Sequence, residues 1–280
     1  MIIAVLVVVG LCLGSFVNAL VWRLHEQAAE IAKKQPDKTY LSKLSIKTGR
    51  SLCPHCRHNL AAKDLVPVLS WLSLSGKCRY CSKPIAWQYP LVELATTILF
   101  VVSYLWWPVS FSTAQTVIFV LWLGLVSGLM ALAVYDWHWK LLPNRLMYPV
   151  SVIAAAIAVI TAVTATKPAD ALLNVILAVI VGGGIFYVLF QISDGKWIGG
   201  GDVRLGAVLG LVAGTPARSL LFIFFGAFGG SLVSLPLLFR HRLKRTSVIP
   251  FGPFLIIAAI IVQFFGADIL NWYRQTFITF

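Results

Sequence analysis

The stretch "WIGGGDVRLGAVLGLVAG", Trp197 to Gly214, sets one aspartate behind three glycines and ahead of a short apolar run, Val203 to Ala213. At about 1.5 Å per residue this run covers roughly half of a ~30 Å hydrocarbon core. Whether it counts as a crossing decides the side on which every later segment lies. The rest of the chain supplies the context. Of its 280 residues 59% are hydrophobic and only 12% charged, and the mean hydropathy is +0.86. That balance belongs to a polytopic membrane protein, not to a soluble domain of the same length.

Apolar stretches run from Ile2 to Trp22, Leu91 to Trp107, Thr116 to Val134, Leu146 to Thr166, Ala171 to Phe190, Val203 to Ala213, Leu220 to Phe239 and Val248 to Phe265. The expected fold is therefore all-α, with about eight transmembrane helices. The first stretch has no basic region before it and no small-residue cleavage site before Arg23, so it reads as a retained span rather than a signal peptide. With the N-terminus outside, all of the 23 basic residues except Lys167, Arg218 and Arg274 fall on the inner side. The positive-inside rule then gives an N-out, C-out orientation. Omitting the short sixth run would flip the next span and put "RHRLKR", Arg240 to Arg245, outside. The net charge of +13 is thus accounted for by topology, and no nucleic acid partner is expected; the lipid bilayer is.

The chain divides into a first helix (1–22), a cytoplasmic loop (23–90) and a transmembrane core (91–280). Within the loop, Glu26 to Arg50 reads as an amphipathic or partly mobile polar segment. Ser51 to Gln88 is different. It carries "CPHC" and "CRYC", and the two C-x-x-C turns present four thiolates, Cys53, Cys56, Cys78 and Cys81. Four thiolates on two tight turns close a tetrahedron around one structural Zn²⁺. Disulfides are the competing reading, disfavoured on the reducing cytoplasmic side. His55 and His58 are expected to be solvated, and Cys12 to be a packing residue.

Ten acidic residues remain to be sorted. Glu26, Glu30, Asp37, Asp64 and Glu93 lie in the loop or at its end, and Asp170 and Asp268 on the outer side. Asp136, Asp194 and Asp202 stand at the inner mouths of spans, where carboxylates are costly and point to function. Asp136, in "AVYDWHWKLLPNR", and Asp202 lie at one depth. Two close carboxylates share a proton, so one acts as base on water while the other polarises a peptide carbonyl. The structural alternative pairs Asp136 with Lys140 at i+4 and makes Asp202 a helix cap. Gly199, Gly200 and Gly201 are expected to adopt unusual dihedrals and admit substrate backbone beside Asp202, with Gly199 and Gly201 as the approach positions. Gly206, Gly210 and Gly214 form a small-residue face for tight helix contact. A dinucleotide fingerprint fails because Arg204 stands where it needs glycine, and "DGKW" lacks the hydroxyl residue of a P-loop.

These residues bring out a resemblance over nearly the whole chain to the type IV prepilin peptidase family. "GSFVNALVWRL" looks like its opening span, and "CPHC" with "CRYC" resembles its cysteine module, flanked by "SWLSLSGKCRYC" and "YPLVE". "YDWHWKLLPN" resembles the first aspartate motif, and "GGGDVRLGAVLG" with "IPFGPFL" the second and its partner. The resemblance implies a GxGD aspartyl protease with Asp136 and Asp202 as catalytic pair. Such an enzyme cuts the basic leader of prepilins or pseudopilins after a glycine at the cytoplasmic face of the inner membrane. It also implies N-methylation of the new terminus with S-adenosylmethionine, which no nucleotide-binding motif here supports. Asn144 departs from the aspartate common after "LP" in relatives. Glu93 is a candidate for the methylation half, with neutralisation of Arg79 or Lys83 as its plainer role. A proton-coupled transporter using the two aspartates, and a zinc-stabilised scaffold of a secretion apparatus, are the alternatives from other classes.

Overall fold

The protein was analysed as a computed structural model, which describes residues 1–46, 48–239 and 249–277. "RHRLKR", on which the orientation partly rests, lies outside the described residues. The described residues form ten α-helices and no β-ladder longer than an isolated bridge. Seven of the helices are long and apolar enough to cross a membrane. Two compact units divide at Leu105 and Trp106.

In the first unit, α1 (Ile2–Ile31) and α4 (Gln88–Leu105) pair along a seam of small residues. A Cβ added at Gly10 would stand 2.7 Å from Thr97 Cα, and one at Gly14 2.6 Å from Glu93 Cα. Only glycine lets the two backbones meet there. Asn18, one turn on, is buried and donates to the Tyr89 carbonyl at 3.1 Å while accepting from Gln88 at 3.2 Å. Its amide is thus satisfied across the pair.

Beyond Trp22, α1 continues for more than two turns and opens the segment that reads as amphipathic or partly mobile. Its described residues fold against α1. Asp37 caps α2 (Lys38–Lys43) by accepting from the Thr39 and Tyr40 N–H groups. Carbonyls past the end of α2 accept from α1 side chains. Gln27 donates to Leu44 at 2.8 Å, and Arg23 to Ser45 and Gly49 at 3.2 and 3.0 Å. Arg57 sits over the Tyr40 ring, 4.3 Å from its centre. Carbonyl acceptors have no signature in the sequence, which is why composition alone suggests a loose segment.

The second unit contains α5 (Thr113–Trp139), α6 (Asn144–Val163), α7 (Pro168–Ile192), α8 (Gly200–Ala213), α9 (Pro216–Phe239) and α10 (Gly252–Phe277). With 14 residues, α8 is about 21 Å long, too short to span alone. It packs against α6, α7, α9 and α10, with Leu205, Val208, Leu209 and Ala213 buried. Its buried face rests on these neighbours, so the helix is held without having to cross the hydrocarbon core by itself. Gly206 and Gly210 do face α7 at backbone distance: a Cβ at Gly210 would lie 2.9 Å from Val179 Cα, and one at Gly182 3.2 Å from Gly210 Cα. Gly214 does not join that face. It is the left-handed C-cap of α8, φ +69°, donating to the Gly210 carbonyl, a position that suits glycine because a Cβ is penalised there.

Candidate active site and metal centre

The C-terminus of α5 meets the N-terminus of α10, which packs against α8. Lys140, left-handed at φ +54°, closes α5 by donating its N–H to the Asp136 carbonyl. The Asp136 side chain is 5% exposed. Its Oδ2 accepts from the Gly252 N–H at 3.0 Å. Gly252 begins α10, so that N–H has no partner within the helix, and the positive end of the helix dipole faces the carboxylate. The i+4 alternative fails: among the described residues no ion pair joins Asp136 to Lys140.

Asp202 is the third residue of α8, in the positive first turn of a second helix. Its Oδ2 accepts from the Gly199 N–H at 3.3 Å, so the capping role foreseen for it is met from inside the helix. Capping leaves the other carboxylate oxygen available. Leu205, one turn along the same face, lies 3.5 Å from the position a Gly252 Cβ would take. Asp136 on α5 and Asp202 on α8 thus stand at helix ends that share the start of α10 as a neighbour. Asp194 is not part of this arrangement: exposed, with φ +49°, it lies in the turn after α7.

Two contacts hold α8 to the α5–α6 connection. Arg204 hydrogen-bonds the Asn144 side chain, and a Cβ at Gly201 would stand 3.1 Å from Leu142 Cβ. The unusual dihedrals expected of the glycine run are absent. Gly199 is extended, with φ −75° and ψ 150°, and positive φ among described glycines occurs at Gly76, Gly195 and Gly214. Space against Leu142, not backbone conformation, is what Gly201 supplies. Leu142 and Gly252 act through contacts between distant segments, so local spacing does not reveal them. The signal for Gly252 was its place in "FGP", a helix start whose proline cannot donate.

In the first unit the four cysteine Sγ atoms lie within 4.8 Å of one another. All are free thiols, and Cys53 Sγ is 3.9 Å from Cys81 Sγ. A tetrahedron with ~2.3 Å metal–sulfur bonds has edges of about 3.8 Å, so the set fits a metal ion of that kind. The two turns repeat one backbone pattern. Cys53 N–H donates to His58 O and Arg57 N–H to Cys53 O; Cys78 N–H donates to Lys83 O and Ser82 N–H to Cys78 O. Arg57 and Ser82 are both left-handed at φ +57°. Burial pushes the Cys53 thiol up to about 12. At Cys78 burial acts the same way, yet the Tyr80 and Cys81 N–H groups outweigh it and bring the thiol down to about 7. His58 lies against Tyr80 with ring centres 3.8 Å apart and planes tilted by 31°, and the close ligand group among the described residues consists of the four cysteines.

The plainer role read for Glu93, neutralising Arg79 or Lys83, is not seen among the described residues. Arg79 pairs with Asp64 at 2.7 Å, while buried Glu93 accepts from the Val68 N–H at 2.7 Å and from the Ser15 hydroxyl. It fastens the left-handed residue Val68, φ +60°, to the α1–α4 pair.

A sequence profile of the Bacterial Peptidase A24 N-terminal domain matches residues 8–107, nearly all of the first unit, and one of the Type IV leader peptidase family matches residues 123–235. The chain is 32% identical over 230 residues to a prepilin leader peptidase/N-methyltransferase of Bacillus subtilis, covering 82% of this chain and 87% of that protein. It is 34% identical over 266 residues to a type 4 prepilin-like proteins leader peptide-processing enzyme of Escherichia coli O78:H11, covering 90% and 89%. With a prepilin leader peptidase/N-methyltransferase of Aeromonas hydrophila the identity is 31% over 280 residues, covering 96% and 92%. No solved structure matches the chain.

Proposed function

Because the chain belongs to the type IV leader peptidase family, we propose that it is an aspartic endopeptidase of the bacterial inner membrane that removes the basic leader from prepilins or pseudopilins. Asp136 and Asp202 are its catalytic pair. The observations that support this reading are the placement of Asp136 against the N-terminus of α10 and of Asp202 in the first turn of α8, two helices that pack together.

The chemistry follows from one proton shared between two acids. The ionised carboxylate takes a proton from water as the water oxygen attacks the scissile carbonyl carbon, and the protonated one gives its proton to the carbonyl oxygen. Collapse of the tetrahedral gem-diol breaks the C–N bond: one of its hydroxyls returns its proton to the carboxylate that acted as acid as the carbonyl re-forms, and the proton taken from water passes to the leaving amine. Both helix dipoles stabilise the negative charge that remains on the pair. Gly199 and Gly201 border the approach to Asp202, and the Leu142 contact keeps that border narrow. The charge distribution supports placing these helix ends at the cytoplasmic face, with N- and C-termini outside.

The domain plan read from the sequence is retained: a first helix (1–22), a cytoplasmic loop with the cysteine module (23–90) and a protease core (91–280). Cys53, Cys56, Cys78 and Cys81 would hold Zn²⁺, which supplies a cross-link between the two turns and no chemistry. Methylation of the new N-terminus with S-adenosylmethionine is the second activity, in line with the bifunctional names of the relatives. The scaffold alternative leaves the Gly252 to Asp136 contact without a purpose. Incubating the purified protein with a synthetic leader peptide tests the proposal: a single cut at the leader junction supports it, and an intact peptide refutes it.

A further inference from the structure

The cysteine module carries an apolar turn that the α1–α4 pair does not cover. Leu65 and Val66 are exposed ahead of the short helix α3 (Leu69–Ser73), and Leu69 and Leu72 on it are 64% and 59% exposed. Trp87, the residue before α4, is 67% exposed, and its ring centre lies 4.2 Å from that of Trp71 on α3. Contiguous exposed apolar surface of this kind marks a contact with a membrane or a partner.

The contacts that hold the turn also set its depth. Trp71 Nε1 donates to the Ile85 carbonyl at 3.1 Å, and the Val68 N–H donates to Glu93 at 2.7 Å. Glu93 is the sixth residue of α4, about 9 Å along the helix axis from Trp87. It packs opposite Gly14 of α1, about 12 Å inside the Trp22 end of the first apolar run. Its side chain leans back toward the start of α4 by less than that, so the turn lies alongside the first turns of a span, not beyond its end. Trp87, Leu91, Leu94 and Ile98 are exposed at helical spacing on the face of α4 turned from α1, in a helix apolar enough to cross the membrane. Trp87 belongs to this stripe and to the Trp71 contact, so the stripe continues onto α3.

Backbone that enters lipid must arrive satisfied. The Ser70, Leu72 and Leu74 N–H groups donate to carbonyls four residues back, and those of Gly76 and Lys77 to Trp71 and Leu74. Charge fits the same surface. Ser51 to Gln88 hold five basic residues, and their single acid, Asp64, is paired with Arg79, a balance suited to the anionic headgroups of the cytoplasmic leaflet.

We propose that α3 and the residues leading into it are an interfacial anchor: Val66, Leu69, Leu72 and Trp87 enter the lipid of the cytoplasmic leaflet and seat the cysteine module on the membrane. The occupant is lipid because the patch is continuous with a helix face that lipid covers and shares its depth. The left-handed Val68 fits this role. A β-branched residue at φ +60° is strained, and a buried glutamate holds it so that the turn keeps its depth. The anchor does not depend on proteolysis.

The test uses full-length protein in nanodiscs of phosphatidylethanolamine and phosphatidylglycerol, with a fluorescent amino acid at position 69, 72 or 82. Ser82, exposed in the second cysteine turn, is the water reference. Lipids with a nitroxide on the acyl chain should quench positions 69 and 72 at a depth of about 5–10 Å, while aqueous iodide should quench position 82 alone. Quenching of 69 and 72 by iodide and not by lipid, the pattern of a face awaiting a peptide or a protein, would overturn the anchor. Because both leucines are exposed, the double variant Leu69→Asp, Leu72→Asp should keep its metal content and fold, and a reporter at position 66 should then lose its lipid quenching. Quenching retained there would overturn the anchor as well. Leader cleavage is read separately: the expected quenching in a protein that cuts no leader would remove the proteolytic reading and leave the anchor standing.

Discussion

The Gly252 N–H donates to Asp136 Oδ2 at 3.0 Å across 116 residues of sequence, and a Cβ at Gly252 would lie 2.8 Å from that same oxygen. The contact needs both the free N–H of a helix start and the absence of a side chain. Gly252→Ala must therefore push the carboxylate off its donor. We expect kcat to fall roughly 10²-fold with membrane insertion unchanged, whereas Gly184→Ala, whose new Cβ would meet only Ile180 at 3.9 Å, should cleave as wild type does. Kinetics on the two purified variants checks this.

Gly201 tests the border of the site. Its Cβ position is 3.1 Å from Leu142 Cβ and 3.3 Å from Leu142 Cδ1, so Gly201→Val displaces the α5–α6 connection beside Asp202. Cleavage should drop by about tenfold or more. Adding Leu142→Ala should restore much of it, because the space is returned. If the double variant is no better than Gly201→Val, the glycine acts through something other than this contact.

Metal removal separates the two units. Stripping the cysteine module with a chelator, or Cys56→Ser, should release about one Zn²⁺ per chain. Methyl transfer should fall before proteolysis does, because the acids belong to the other unit. Metal analysis alongside both assays decides it; disulfide-linked cysteines in protein isolated under reducing conditions would contradict the metal centre.

Asp64 supplies a pH dependence. Burial pushes its carboxyl up, but the Arg79 guanidinium, the Tyr80 hydroxyl and the Ala61 N–H outweigh this and hold it below the ordinary carboxylate range. A depressed folded-state value contributes stability that is complete above the unfolded value, ~3.9, and is lost as pH falls through the folded one. Asp64→Asn should therefore destabilise the module at pH 7, and the gap from wild type should close in acid. Denaturant-induced zinc release, followed at several pH values, reads that gap.

How much of this was legible depended on whether a feature was local. Asp136 and Asp202 emerged from sorting ten acids by depth, and the cysteine turns from their own spacing, because each is encoded within a few residues. Gly206 and Gly210 were legible as a packing face for the same reason. Gly214 was misread, although "GTP" after an apolar run marks a helix C-cap as well as any local signal does. Gly252, Leu142 and the Arg204 to Asn144 bond join segments tens of residues apart, and nothing in their neighbourhoods names the partner. The folded segment after α1 is the same case, since Arg23 and Gln27 reach backbone carbonyls that any sequence would offer.

The central claim is that Asp136 and Asp202 act as one proton-sharing pair. Its most direct measurement is the cleavage rate of a leader peptide by wild type, Asp136→Asn, Asp202→Asn and the double variant, each purified in bilayers with zinc content and helicity verified. Each single change should lower kcat by roughly 10²- to 10⁴-fold, and the double variant should be little worse than either, because neither acid works without the other. Near-normal cleavage by either single variant, or losses that simply multiply in the double, would contradict the pair.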